Sequence, residues 1–244
     1  MSGIRGTWLV ARRELFAYLN SMWGWVIGAT LLLANGLFFN AFAVTARPRM
    51  STEVLEDFFR YSFGLGVVAA LLLTMRLLAE ERQTGTIVLL DASPLSDAQI
   101  VVGKWISATL VLWALTALTI YMPLLILVNG KISAGHLFAG YLGLALSMAG
   151  CTAVGTFGSA VARSQLVALV VSGAIMLLLI VSWLLAKLSD APLDDLFAYL
   201  AYYDRHFIPF RKGRINSEDV IYYASVVFVF LVASVRVMST RRWR

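Results

Sequence analysis

Six stretches without a single charged residue dominate the chain. They cover residues 15–46, 61–75, 105–130, 132–162, 164–186 and 220–235. A helix needs about 20 apolar residues to cross a hydrocarbon layer of roughly 30 Å. Charged residues make up only 14% of the 244 residues, against about 25% in soluble domains. This pattern predicts an integral membrane protein with six spans, and it excludes a secreted enzyme, a disulfide scaffold and a DNA-binding module.

The limits of these stretches predict an all-α fold with one transmembrane domain over residues 1–244. The predicted spans are about 23–46, 58–78, 100–128, 136–160, 166–186 and 220–238. Residues 5–20 predict an amphipathic helix at the membrane surface before the first span. Its residues would divide between lipid (Trp8, Leu15, Phe16 and Leu19) and headgroups (Arg5, Arg12 and Arg13).

Two further features concern topology. Three arginines precede the first span, which predicts that both termini lie in the cytoplasm, because basic residues favour that side. No cleavable signal peptide is expected, since the first apolar stretch is too long for one. On the external side, the spacing of apolar residues predicts a helix over Ala191–Tyr203, either at the outer interface or packed within the protein.

The predicted spans contain no Asp, Glu, Lys, Arg or His near the middle of the membrane. A proton-driven or voltage-gated machine is therefore disfavoured. The mild polar residues there favour hydrogen bonds between helices over a substrate site; they are Asn35, Thr116, Thr119 and Ser172. Small residues in the fourth span and Gly24 with Gly28 in the first indicate close helix packing, either within one chain or at a dimer seam.

Catalytic motifs are missing from the sequence. It has no P-loop pattern and no H-E-x-x-H pattern, and its two histidines, His136 and His206, lie near or beyond the outer ends of the spans. The single cysteine, Cys151, allows no internal disulfide and is expected to be buried. We therefore expect neither an enzyme nor a protein that binds ATP itself, and no metal site.

The connection between the second and third spans carries the most specific pattern. Glu80, Glu81 and Arg82 form a charged helix end, and Gly85 allows the backbone to turn. Residues 87–90 predict one short amphipathic helix, and residues 96–99 form a capping box that opens the third span. A short helix between two spans suits the transfer of motion to a cytosolic partner. The alternative is an ordinary surface loop.

These residues resemble the ABC-2 class of ATP-binding-cassette permeases, and most of all its gliding-motility and nitrous-oxide-reductase-maturation branch. The matching residues are Glu80, Glu81, Arg82, Gly85, Thr86, Leu89, Leu90, Pro94, Gly103 and Lys104. Residues 206–216, just before the last span, and residues 13–15, in an opening "elbow" helix, are also similar to this branch. One position departs from its pattern, because Val88 stands where an acidic residue is usual.

The resemblance implies the dimeric membrane half of an exporter in a bacterial inner membrane. A second permease subunit, identical or related, would pair with this chain. Each would dock a separate ATPase that carries the ATP and Mg, with no cofactor on this chain and no nucleic-acid partner. The implied ATPase-coupling residues are Glu80, Glu81, Arg82, Gly85, Thr86, Leu89, Leu90 and Pro94.

The cargo is less clear from the sequence. Uncharged spans with basic outer residues suggest an amphipathic or lipid-linked substrate with an anionic head. The possible contact residues are Asn35, Arg47, Arg49, Arg205 and Arg211. Two alternatives stay open: a component that passes ATP-driven motion to an envelope or motility complex without transport, and an ATP-independent channel or carrier.

Overall fold

The computed structural model describes residues 3–43, 50–86, 93–126 and 130–242, and within these ranges the chain forms eleven α-helices and no strand. The helices are α1 Gly3–Asn20, α2 Met22–Ala43, α3 Ser51–Thr74, α4 Ala79–Gln83, α5 Asp97–Leu118, α6 Tyr121–Ile126, α7 Ala134–Val161, α8 Gln165–Leu188, α9 Leu193–Leu200, α10 Phe207–Arg211 and α11 Ser217–Arg242.

Six of the helices among the described residues are long and apolar enough to cross a membrane: α2, α3, α5, α7, α8 and α11. The predicted all-α integral membrane fold is therefore confirmed. The boundaries agree within a few residues except in α3, which begins at Ser51 instead of near residue 58. Its first turns carry Glu53, Glu56, Asp57 and Arg60, so charged residues begin this helix before its apolar stretch.

The third predicted span is two helices, not one. α5 ends at Leu118, and α6 continues from Tyr121 after a short turn. Pro123 explains this break, because a proline ring lacks an N–H donor and collides with the carbonyl four residues earlier. That carbonyl belongs to Thr119, at the turn.

Helices α3 and α7 form the centre of the bundle, and α7 presents its small residues to its neighbours. A side-chain carbon added at Gly140 would collide with the Phe59 ring, and one added at Gly143 would collide with Phe210. Gly155 faces Thr74 in the same way. The small face of α7 is thus used for close packing within the chain, which is one of the two alternatives that the sequence left open.

We call the end of the bundle with residues 75–86 and 162–164 the loop end, and the end with residues 189–216 the opposite end. At the opposite end, the chain after α9 turns back into the bundle. The Tyr202 amide donates to the Leu179 carbonyl at 3.0 Å, and its hydroxyl donates to the Ser147 carbonyl at 2.5 Å. The predicted helix over Ala191–Tyr203 is shorter in the structure, and α10 was not predicted.

Candidate functional site

The connection after α3 combines a short helix with a tight turn. Four turn residues follow Thr74, then α4 runs from Ala79 to Gln83, and Gly85 has a φ of +76°. This left-handed backbone favours glycine. Ser96 accepts a hydrogen bond from the Gln99 amide, and the Gln99 side chain accepts one from the Ser96 amide. The turn at Gly85 and the capping box are both confirmed.

Part of the predicted site cannot be placed. The short amphipathic helix over residues 87–90, with Leu89 and Leu90, lies outside the described residues, as does Val88. Thr86 and Pro94, on either side of that stretch, are both exposed.

A buried lysine joins the connection to two other helices. The ammonium group of Lys104, on α5, donates to Glu81 Oε1 of α4 at 2.8 Å and to Glu14 Oε1 of α1 at 2.9 Å. The Lys104 side chain is 1% exposed, and those of Glu14 and Glu81 are 14% and 17% exposed. Arg13 Nη2 donates to the same two carboxylate oxygens, at 2.7 Å from Glu14 Oε1 and at 3.3 Å from Glu81 Oε1. Two acids and two bases therefore form one neutral cluster.

The charges in this cluster change the pKa of Glu14. Burial by itself would raise it, because a buried carboxylate loses its hydration. The charges of Lys104 and Arg13, and the hydrogen bonds that they donate, outweigh burial and hold the pKa of Glu14 below its ordinary value of 4.5. Glu14 is thus held ionised next to Lys104.

The other side of α4 is fixed to the end of α7. Arg82 Nη1 donates to the carbonyls of Ala160 and Ala162, the second at 2.9 Å. The last carbonyls of a helix have no partner inside the helix and carry partial negative charge, so they suit a guanidinium group. The Ser159 hydroxyl accepts from the amides of Leu78 and Ala79 at 2.9 and 3.0 Å.

The predicted coupling residues thus fall into two groups. Glu81 and Arg82 have their charged groups directed into the protein, whereas Gly85, Thr86 and Pro94 are exposed. Glu80 is intermediate in exposure between these groups, and it forms an ion pair at 2.7 Å with Arg76, four residues earlier. Their contact with an ATPase stays a prediction.

The predicted substrate residues do not come together with this site. Asn35 is 3% exposed and accepts a hydrogen bond from Ser62 at 2.8 Å, which links α2 to α3. This is the helix–helix role that the sequence favours. Arg205 and Arg211 lie at the opposite end, paired with Glu218 and Glu56 at 3.1 and 3.4 Å. Arg47 and Arg49 lie outside the described residues.

The sequence contains a signal for the buried cluster, although the cluster was not predicted. Lys104 matches a family pattern, and Glu14 lies within the predicted opening helix. A lysine near the start of an apolar span needs an acidic partner when it is buried. The acids available near the loop end included Glu14, Glu80 and Glu81, but only the packing of α1 on α5 shows which of them are used.

Comparison with known proteins adds the family. A family model described as an ABC-2 family transporter protein matches residues 35–202, more than half of the chain and the whole of the connection described above. The chain belongs to the ABC-2 transporter family. No curated protein matches it. Membership makes this chain a multi-pass membrane component of an ABC transporter, and it implies an ABC ATPase subunit as partner.

Proposed function

We propose that this ABC-2 chain is the permease subunit of an exporter that moves an amphipathic or lipid-linked substrate across a bacterial inner membrane. Two permease subunits would pair, and each would dock one ATPase against the exposed tip of the connection. The tip consists of the exposed residues 83–86 and Pro94. Leu89 and Leu90, which lie outside the described residues, belong to the proposed contact through the family resemblance. The loop end and both termini would lie in the cytoplasm. The resemblance to the gliding-motility and nitrous-oxide-reductase-maturation branch belongs to this proposal.

Transport would follow from a population shift. The ATP-bound ATPase pair must bind one arrangement of the spans more tightly than the other, or ATP binding changes nothing. Converting a 1:99 population into 99:1 takes about 5.5 kcal/mol of differential binding. The site of ATPase contact must therefore be stiff enough to pass that difference to the spans.

The observation that carries the proposal is the way the connection is held. One side of α4 is fixed to Lys104, and the other is fixed to the carbonyl end of α7. Residues 83–86, which follow the anchored part of α4, are exposed. A loop that served merely to join two spans would not need anchors on both sides. This arrangement supports a docking platform whose base is rigid and whose tip is free to contact a partner.

Gly85 gives a sharp test of ATPase docking. In Gly85→Ala, a left-handed backbone is imposed on an alanine, which costs about 1–2 kcal/mol, although nothing lies within 4 Å of the added carbon. Gly173→Ala is the matched control, because its added carbon also meets nothing within 4 Å and it lies within the regular helix α8. We expect Gly85→Ala to weaken co-purification of the ATPase from the native host, with Gly173→Ala unchanged.

Equal ATPase recovery with both variants would contradict docking at the tip. A double alanine at Glu80 and Glu81 is a poorer test, because Glu81 also holds Lys104. Glu80→Ala alone leaves Glu81 and Lys104 in place, although it also removes the ion pair with Arg76. The exporter itself requires a second measurement: reconstituted complex that hydrolyses ATP but moves no lipid-linked probe would favour mechanical signalling over transport.

The substrate class rests on the uncharged spans and the basic outer residues. Charge reversal of Arg205 and Arg211 should reduce transport if they contact an anionic head. Since these side chains are already paired with Glu218 and Glu56, the alanine variants of those acids are useful controls. They remove the carboxylate partner of each arginine and keep the arginine itself, and they should leave transport intact. Unchanged transport in the reversed variant would remove the anionic-head assignment.

A further inference from the structure

The opening helix α1 has two faces with different surroundings. Ile4, Trp8, Leu9, Phe16 and Leu19 are exposed, while Gly6, Val10 and Ala11 are buried. The buried face packs on α5. One face of α1 is therefore available to the membrane surface, and the other belongs to the bundle.

The contact between α1 and α5 is close along its length. A side-chain carbon added at Gly103 would lie 2.8 Å from the Thr7 carbonyl oxygen and from Val10 Cβ. The Gln99 side chain donates to the Gly3 carbonyl at 3.1 Å. Backbone, polar and apolar contacts thus hold α1 against the start of α5, and the ion pair between Glu14 and Lys104 adds a charged contact between the same two helices.

These contacts between α1 and α5 do not involve α4. The structure joins α1 to α4 through the cluster of Glu14, Arg13, Lys104 and Glu81. Arg13 also bridges α1 to Glu81 directly, but its side chain is 60% exposed. Exposed ion pairs contribute little, whereas a buried pair is costly to break. The buried ammonium of Lys104 is therefore the stronger of the two connections.

We propose that Lys104 is a positioning residue that makes α1, α4 and the start of α5 move as one unit when the ATPase acts on the tip. This inference rests on the proposed function. Displacing α4 alone would separate the Glu81 carboxylate from Lys104. Displacing the three helices together keeps Lys104 paired with both Glu14 and Glu81. The second movement costs less free energy. A force on the tip is therefore passed to α1 at the membrane surface and also to the third span.

Glu14→Gln is the main variant, because Glu14 lies on α1 and is not among the predicted docking residues. Lys104→Met also destabilises the fold and so serves less well. We expect Glu14→Gln complex to keep its ATPase subunit in nanodiscs, while the permease-dependent change in ATP hydrolysis falls about fivefold or more. Glu53→Gln, an exposed acid at the start of α3, is the matched control and should behave like the wild type.

A distance measurement tests the unit without any ATPase. Spin labels on Arg5→Cys and Gln83→Cys, both exposed positions on α1 and α4, report on their relative motion, because the native Cys151 is buried. We expect a narrow distance distribution in the otherwise unchanged chain and a broader one in Glu14→Gln. Lys104→Met, which removes the ammonium group that contacts both Glu14 and Glu81, should broaden the distribution as well.

The outcomes separate this inference from the proposed function. An unchanged distribution in Glu14→Gln, or a broad one already in the parent protein, overturns the joined unit. A narrow distribution in Lys104→Met also contradicts the role of Lys104. If the distances behave as expected but no ATPase binds the wild type, then the unit stands and the proposed docking fails.

Discussion

The two ends of the bundle are held together by different chemistry. At the loop end, Lys104 and Arg82 fix the connection through charged hydrogen bonds to carboxylates and helix carbonyls. At the opposite end, packing between aromatic rings holds the segments together, beside the ion pairs described above. His206 stacks on Tyr222 at a centroid distance of 3.7 Å, and Tyr202 and Tyr223 meet edge to face at 5.0 Å.

This difference suggests that the two ends of the bundle have different roles. Charged contacts are few and directional, so they keep chosen groups together while the surrounding surface stays open to a partner. Aromatic packing spreads its attraction over many atom pairs and loses it when the rings separate slightly. The loop end is therefore suited to move as a defined unit, and the opposite end is suited to close the bundle.

The largest expected effect of a single substitution is at the loop end. Lys104→Met leaves the partly buried Glu14 and Glu81 facing each other with only the largely exposed Arg13 as a shared cation. Breaking a buried pair in this way costs about 3–5 kcal/mol, which we expect as a lowered free energy of unfolding in detergent. Lys131→Met, at an exposed position beyond the spans, should leave it unchanged. Equal stability of the two variants would mean that charge pairing is not what holds the loop end.

A smaller loss is expected at the opposite end. Both ring nitrogens of His206 are engaged, Nδ1 at 2.8 Å from Asp219 Oδ1 and Nε2 at 2.9 Å from the Tyr199 carbonyl oxygen. His206→Phe keeps a ring against Tyr222 but leaves both oxygens without this partner, at a cost of about 2–3 kcal/mol.

Tyr222→Leu provides the complementary variant, since it removes the stacked ring and leaves the polar pair with Asp219. If stacking dominates this end, thermal unfolding should show the greater loss in Tyr222→Leu. A greater loss in His206→Phe would make polar pairing important at both ends and weaken the contrast between them.

Much of the fold could be predicted because it depends on local properties. Hydropathy over about 20 residues locates a span regardless of its neighbours, and all six spans were found in this way. The capping box at Ser96 and the turn at Gly85 also depend on residues a few positions apart. The break before Pro123 was predictable in the same sense, although the third span was predicted as continuous.

The remaining features depend on contacts that are distant in the sequence. Glu14 and Lys104 are 90 positions apart, and Arg82 and Ala162 are 80 apart. No periodic pattern links such pairs. The same applies to the chain after α9, where Tyr202 reaches Ser147 because Gly150 on α7 leaves room for its hydroxyl group. The sequence identified which residues were unusual, and the packing determined their partners.

The smallest effect we predict concerns acid, and it tests whether Glu14 contributes as a charged group. Because the pKa of Glu14 lies below its ordinary 4.5 in the folded protein, its stabilising contribution is complete above that value. The contribution is lost as the pH falls through the lower, folded-state pKa. At neutral pH, Glu14→Gln should therefore be about 1 kcal/mol less stable than the wild type. It should also unfold at a lower temperature. Once the pH lies below the folded-state pKa of Glu14, the two melting temperatures should converge, since protonated Glu14 and Gln are both neutral. A difference that persists at acid pH would assign the role of Glu14 to its shape and hydrogen bonding, and the loop end would then differ less from the aromatic contacts at the opposite end.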